Sequence, residues 1–491
     1  MRQLSWRALR QLGAWSLVAA GSGCSHRSSV PISRRPTSAA TVISDAHLAG
    51  LVDSIVDLGR REFRIPGISL VIMRGHNVVL SKGYGMADLA RQVPATDSTV
   101  YQVGSLSKQI TAAAIMTLVE AGRVRLDDPV SKYLPELPVA RDSALRIHTL
   151  LAQTSGLQTW DDLPELQRDG SSSDTAEFKL ARIVALIGRE HPLFPPGSWW
   201  SYSNSNYTLL AAVIERATGV TYDDYLAQVL FSPLGMGHTR SCARPPLASE
   251  LPRAIGYEVV GDSFAVLPTR RFMQPGMTGA GGLCSSVVEL ATWMRALMDG
   301  RAVSRQSLQQ MTTPHSVGAG FTPPYGFGLS FLPLAEQPAI WHTGVLNGFM
   351  SVLAYLPEQD IVIAAAGNSR HTLLRAIVNR VVREMFSSTR PLRDLPLSVA
   401  EIERAVGTYN DALFTFRIVA DSGMLYADTP QMGGVRERLL YQGEHEFAVA
   451  GPAEFRFRFD STGTKAQTVV WDWAEVRAFG RRVGPAGTPP R

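Results

Sequence analysis

The 491-residue chain is poor in charge, with 19% Asp, Glu, Lys and Arg, and poor in cysteine, with three. Lysine is scarce too: Lys82, Lys108, Lys132, Lys179 and Lys465 are set against many arginines. Each scarcity excludes something. The 48 basic and 43 acidic residues nearly balance, and the basic ones lie scattered, not in a stripe or tail, so nucleic acid is not an expected partner. Cys24, Cys242 and Cys284 follow no metal-ligand spacing, so no metal is expected and no cofactor is implied. Cys242 and Cys284 either pair in an oxidising compartment or remain buried thiols. With 45% apolar residues, the length suits one catalytic-sized domain plus something smaller.

The apolar run Leu12 to Ala20 is too short for a stable membrane span, but it follows Arg2, Arg7 and Arg10 as the core of a secretory signal does. Gly21, Ser22 and Gly23 lead into Cys24, which resembles a bacterial lipoprotein signal whose cysteine is lipidated. Cleavage after Ala20, guided by Val18 and Ala20, is the alternative, and a retained anchor is a third. Residues 1–24 are therefore read as a signal and 25–42 as a tether of Ser, Arg, Pro and Thr. Export to the periplasm or cell envelope is expected, with membrane contact only through the N-terminal lipid.

Helical spacing over Ile43 to Phe63 ends at Pro66-Gly67, and β-type runs Ile68 to Met73 and Val78 to Ser81 flank a turn at Arg74 to Asn77. Ser105 to Ala121 is the strongest helix pattern, stopped by Gly122. Helical patterns recur at Asn206 to Gly219 and Ser286 to Gly300. Strand patterns return at Tyr325 to Leu332, Ala339 to His342, Phe349 to Leu356 and Ile361 to Ala366, before a helix over His371 to Phe386. Strands at both ends of a helical middle predict an α+β domain over 43–388: one antiparallel sheet completed by the two chain ends, flanked by helices, with a helical insert. Seven short runs from Thr415 to Phe479, separated by turn signals, predict a small all-β sandwich or barrel over 398–486.

Three short motifs carry chemistry. Ser105-Leu106-Ser107-Lys108 opens the strongest helix, where residues three apart share a face and first-turn N–H groups favour negative charge. A hydroxyl there has an amine to take its proton, provided that desolvation or a neighbouring cation keeps the amine from being an ammonium. Read singly, Ser105 also suits a helix cap and Lys108 a solvated side chain. Tyr202-Ser203-Asn204 precedes a helix: the phenol suits proton relay and the amide suits a substrate peptide group, while core packing and an N-cap are the plainer roles. His342-Thr343-Gly344 closes the β run 339–341. Gly344 would admit substrate to the strand edge, Thr343 would bond a carboxylate or carbonyl, and the N–H of Val345 would join that of Ser105 as oxyanion donor; an incidental turn histidine is the alternative. Gly279-Ala280-Gly281-Gly282 gives backbone access or, the plainer role, loop flexibility alone. No intact G-x-S-x-G element occurs, which counts against an α/β-hydrolase.

The order Ser-x-x-Lys, Tyr-x-Asn, His-Thr-Gly, together with Ile65-Pro66-Gly67-Ile68, Leu150 to Leu157 and Pro233-Leu234-Gly235-Met236, resembles the class C β-lactamase-like serine hydrolases. That group includes D-alanyl-D-alanine carboxypeptidases, D-aminopeptidases and esterases. The resemblance implies Ser105 as acylated nucleophile, Lys108 and Tyr202 as its proton-transfer partners, Asn204 as substrate ligand, and His342, Thr343, Gly344 and Val345 as the opposite wall. It implies a small peptide or ester substrate, with β-lactams as further candidates. Histidine at 342 is closer to the DD-peptidases than to class C β-lactamases, which usually carry lysine there. Carboxylesterase, β-lactamase and a non-catalytic penicillin-binding receptor are the alternatives to a DD-peptidase. Gln153 stands where many relatives have histidine and receives no role. The last hundred residues resemble appended lipocalin-like β domains. Oligomeric state is not readable.

Overall fold

Apolar residues recurring at helical spacing bury Leu48, Val52, Ile55 and Val56 along α1 (Asp45–Glu62), whose last turn carries Arg60 and Arg61 at the negative end of its dipole. The chain then turns through Pro66 into β1 (Gly67–Arg74) and β2 (Asn77–Asp88), an antiparallel hairpin in register Arg74↔Asn77, extended by β3 (Val93–Pro94). In the computed structural model the described residues are 45–483, apart from 142–143, 161–179, 244–251, 261–262, 268–276, 318–321, 336, 370–372, 387–392, 411–414, 429–435, 450–454, 461–463, 467 and 474–475. The expected signal, Cys24 and tether lie outside them. The chain divides into two units, Ile43–Met385 and Phe386–Arg491, the second grouped with Met1–Val42.

After β4 (Tyr101–Gln102) comes the helical insert, with α2 (Ser107–Glu120), α3 (Asn204–Thr218) and α4 (Val287–Asp299) as its longest helices. Between α3 and α4 run β5 (Arg240–Ser241), the hairpin β6 (Tyr257–Val260) and β7 (Ser263–Val266), and β8 (Leu283–Ser285). The chain returns as β9 (Ile340–Leu346), β10 (Phe349–Leu356), β11 (Ile361–Gly367) and α5 (Leu373–Met385). Sheet order is β3-β2-β1-β11-β10-β9, with Ile68↔Gly367 to Arg74↔Ile361 joining the first strand to the last. The sheet is thus completed by the two chain ends, as the pattern predicted, and β9 is left as an edge. Every residue of β11 is buried, because both faces are covered. Val362, Ala364 and Ala366 share a core with Trp293, Met294 and Leu297 of α4, and strand alternation turns Ile361, Ile363 and Ala365 to the opposite face.

Two expectations fail locally. Residues 325–332 form no strand: Gly326 N–H bonds the Leu329 carbonyl (2.8 Å) and Phe331 N–H the Pro324 carbonyl (2.9 Å), folding the segment back on itself. The strand expected to stop at the His-Thr-Gly motif instead runs through it to Leu346. That places the motif inside the edge strand, not in a turn.

The second unit is a closed eight-stranded barrel: β12 (Gly407–Asn410), β13 (Thr415–Asp421), β14 (Met424–Asp428), β15 (Arg436–Gly443), β16 (Glu446–Val449), β17 (Phe455–Phe459), β18 (Thr468–Trp473) and β19 (Val476–Val483). The sandwich alternative is excluded by β12, which the sequence pattern did not single out and which pairs with β19 at Thr408↔Val483. Closure leaves no free edge, and Tyr409, Leu425, Leu439, Phe447, Phe457 and Phe459 fill the interior.

Candidate active site

The site begins at the turn between β4 and α2. Ser105 lies in a single 3₁₀ turn, Gly104–Leu106, immediately ahead of α2, not in its first turn. Gly104 has φ +54°, and a Cβ there would stand 3.0 Å from the backbone nitrogen of Val345, so only glycine fits. The serine turn therefore abuts the β9 edge at Val345, where the second oxyanion donor was expected. Gly344 is bare for a different reason from the one expected. A Cβ there would lie 1.9 Å from the Val103 carbonyl oxygen and 2.5 Å from Ser351 Oγ, so the space is taken by the serine turn and not by substrate. Ser351 Oγ–H bonds the same carbonyl (2.8 Å). On the other side, Val103 N–H bonds the Leu283 carbonyl of β8 (3.0 Å).

Helix α2 is buried almost all round, so its polar side chains need internal partners. Ser107 Oγ–H bonds the Gly104 carbonyl (2.8 Å), Thr111 Oγ1–H the Gly279 carbonyl (2.7 Å), and Gln109 Oε1 accepts from Trp293 Nε1 (3.0 Å). Lys108 is 0% exposed. Its Nζ lies 3.0 Å from Ser105 Oγ, 2.7 Å from Asn204 Oδ1 and 2.7 Å from the Ala280 carbonyl oxygen. The Gly279–Gly282 segment is accordingly not mere loop: its carbonyls hold Thr111 and the lysine. A main-chain acceptor has no side-chain signature, so the sequence marks the segment but not the carbonyl of Ala280 as the lysine's partner.

Tyr202 and Asn204 are held by Gln153, a buried residue at φ +62°. Its carbonyl accepts from Ser201 N–H (3.0 Å), and its Oε1 accepts from Ser203 N–H (3.0 Å) and Asn206 Nδ2–H (2.5 Å). The expectation that Gln153 has no role is thus corrected: it shapes the segment that presents Tyr202 and Asn204. Asn204 N–H also bonds Thr159 Oγ1 (3.2 Å) at the start of α3. The Tyr202 ring, 37% exposed, covers Lys108 with its centroid 4.8 Å from Nζ.

His342 is 7% exposed, its ring 6.1 Å from that of Tyr202. Its Nδ1 lies 2.6 Å from the Thr343 carbonyl oxygen and its Nε2 3.1 Å from the hydroxyl of Tyr325, a residue not anticipated in the site. Burial, and secondarily the charge of Lys108, drops its pKa to about 4, against the opposing pull of the Thr343 carbonyl. Burial first, and neighbouring phenols second, raise Tyr207 and Tyr325 well above the ordinary phenol value. Ser105, Lys108, Asn204, Tyr202 and His342 thus converge, with Thr343 half-buried and Val345 43% exposed on the same edge strand. Cys242 and Cys284 are joined, linking β5 to β8 beside the serine turn. Among the described residues no cluster of His, Cys, Asp and Glu could hold a metal ion.

The sequence profile of the family described as Beta-lactamase matches residues 49–384. Protein flp of Staphylococcus aureus (strain NCTC 8325 / PS 47) is 29% identical over 346 residues, covering 69% of this chain and 67% of that protein. Among solved structures, the octameric penicillin-binding protein homologue from Pyrococcus abyssi aligns with TM-score 0.62 and 24% identity over 88% of this chain and 99% of that one. The D-amino acid amidase from Ochrobactrum anthropi SV3, complexed with L-phenylalanine amide, aligns with TM-score 0.61 and 25% identity over 70% of this chain and 100% of that one. With a serine, a buried lysine and a strand edge assembled in one fold, the chain belongs to the Beta-lactamase family and has the make-up of a serine hydrolase.

Proposed function

We propose that the protein is an exported hydrolase that cleaves an amide or ester bond of a D-amino-acid peptide, with D-alanyl cell-wall peptides as the preferred class, through an acyl-Ser105 intermediate. The observation that carries this is the bonding of Lys108. Asn204 Oδ1 and the Ala280 carbonyl can only accept, so in the amine form both N–H bonds of Nζ are committed to them and the lone pair faces Ser105 Oγ. The amine takes the hydroxyl proton as Oγ attacks the carbonyl carbon, while the N–H groups of Ser105 and Val345 receive the developing oxyanion. Collapse expels the leaving group, which takes the proton back from the Lys108 and Tyr202 pair. Water then attacks the acyl-serine, giving a proton to the same pair, and collapse breaks the bond to Oγ, which takes that proton as the acid is released. The solved D-amino acid amidase supports the stereochemical class, and the signal-like N-terminus supports export.

Intact-mass spectrometry of wild type and Ser105→Ala with a fluorescent penicillin and an activated ester tests the intermediate. Turnover of D-alanyl peptides, nitrocefin and short acyl esters ranks the substrates. An adduct on Ser105 with fastest turnover of D-alanyl peptides is expected, and absence of any adduct in wild type sinks the reading. A short acyl ester is the second reading, favoured by the neutral His342, which offers no charge to a substrate carboxylate.

A further inference from the structure

We propose that Tyr325 is a positioning residue: its hydroxyl locks His342 as a neutral imidazole with both ring nitrogens occupied, so that a substrate carboxylate is held by neutral groups such as Thr343 and not by the ring. The consequence for specificity rests on the hydrolase reading above, whereas the locked tautomer stands on geometry alone.

A carbonyl oxygen only accepts, so the 2.6 Å contact with Thr343 requires a hydrogen on His342 Nδ1. Two states remain for Nε2, 3.1 Å from the Tyr325 oxygen. Either Nε2 is bare and Tyr325 donates to it, or Nε2 also carries hydrogen and the ring is a cation. The titratable groups around the ring are Lys108 from α2, Tyr202 from the segment before α3, Tyr325 from the folded-back turn, and behind Tyr325 the phenol Tyr207 of α3, whose hydroxyl donates to the Leu151 carbonyl (2.8 Å). Burial alone disfavours a cation here, whichever form Lys108 takes, so the ring is neutral. Tyr325, pushed well above the ordinary phenol value, keeps its proton and is the donor.

The donor is also fixed in place. Tyr325 N–H bonds the Pro323 carbonyl (2.7 Å), and its ring stands edge-on to Tyr202 (6.2 Å, 87°) and His342 (5.7 Å, 75°) and tilted against Trp200 (5.9 Å). Free histidine prefers hydrogen on Nε2, so the protein holds the less common tautomer. In that state the ring has no nitrogen left for substrate, and carboxylate recognition falls to neutral groups such as Thr343.

The test is nitrogen NMR of the full chain labelled at histidine, with His342→Gln assigning the signal. Wild type is expected to show hydrogen on Nδ1 and no protonation between pH 8 and about 5. Tyr325→Phe keeps the ring and removes the donor. It is expected to release the tautomer, to move protonation of His342 toward the ordinary imidazole range, and at pH 5.5 to raise kcat/KM for a carboxylate-ended substrate about tenfold relative to its amide-capped analogue. Wild-type His342 with hydrogen on Nε2, or titrating near the ordinary value, overturns the proposal, and that result needs no variant to fold. A Tyr325→Phe protein with unchanged tautomer and unchanged substrate ratio overturns it too. The Nδ1–H signature in a wild type that turns over no ester or amide supports the tautomer and sinks the hydrolase reading instead.

Discussion

Replacing Lys108 by methionine removes the nitrogen while nearly preserving side-chain length and volume. The lost amine is the proposed base at 3.0 Å from Ser105 Oγ, and loss of a positioned base costs about 10²–10⁴ in rate, or ~3–5 kcal/mol of barrier. The fold bears a second cost. Asn204 Oδ1 and the Ala280 carbonyl lose a donor at 2.7 Å, at ~1–3 kcal/mol for each one left unsatisfied, partly offset because a buried amine no longer has to be desolvated. Lys108→Arg separates base from charge, since a guanidinium keeps the cation but has no usable lone pair. Stopped-flow acylation by an activated ester, with thermal melts as the control for folding, measures both. Both variants are expected to acylate at least 100-fold more slowly than wild type while retaining cooperative melts. Acylation by folded Lys108→Met within tenfold of wild type refutes the base assignment, and the same result for Lys108→Arg shows that charge, not proton transfer, is what the lysine supplies.

Gly344→Ala puts a methyl where the Val103 carbonyl and Ser351 Oγ already stand, so the serine turn must move away from β9; kcat/KM is expected to fall at least 100-fold, and a loss under threefold contradicts the packing described. Reducing Cys242–Cys284 frees a 42-residue separation, worth ~4 kcal/mol in the chain-entropy account, so the urea midpoint should fall on adding dithiothreitol, and an unchanged midpoint refutes it. His342, lowered from 6.5 to about 4 in the fold, stays neutral while the unfolded chain takes up a proton below pH 6.5. Stability is therefore unaffected above that pH and lost as pH falls, by ~2 kcal/mol at pH 5, a slope that His342→Gln should remove in urea titrations and whose persistence in that variant sinks the linkage. Gln153→Ala deletes the acceptor of Ser203 N–H and Asn206 Nδ2, so a ~1–3 kcal/mol loss of stability with a raised KM is expected, and kinetics equal to wild type would remove Gln153 from the account.

What was legible in the sequence is what side-chain pattern encodes. Period-two and helical spacing located β1, β10, β11 and the helices around Asn206 and Ser286, because those elements bury one consistent set of residues. Ser105, Lys108, Tyr202, Asn204 and His342 were visible as types at spacings that proton transfer needs. What escaped notice depends on backbone or on distant pairing. Ala280 acts through a carbonyl, and Gln153 through an unusual φ and an amide aimed at another segment. Tyr325 sits in a segment whose apolar alternation imitates a strand, and only the folded-back turn brings its hydroxyl to His342. Gly344 is visible in the sequence as a bare position in the motif, but sequence does not say which atoms occupy the space that a missing Cβ leaves.

Burial does opposite things to the ionisable groups here, and the combination limits how the site can respond to pH. It pushes Tyr207 and Tyr325 up and His342 down, so all three stay uncharged through the neutral range. None of them can supply or absorb the proton that acylation displaces. In the acylation proposed above the proton moves among Ser105, Lys108 and Tyr202, where Nζ is bracketed by two obligate acceptors and the Tyr202 ring stands over it. The neutral aromatic wall has the complementary task of keeping the moving charge desolvated, so that the same few ångströms of displacement are worth more than they would be in water.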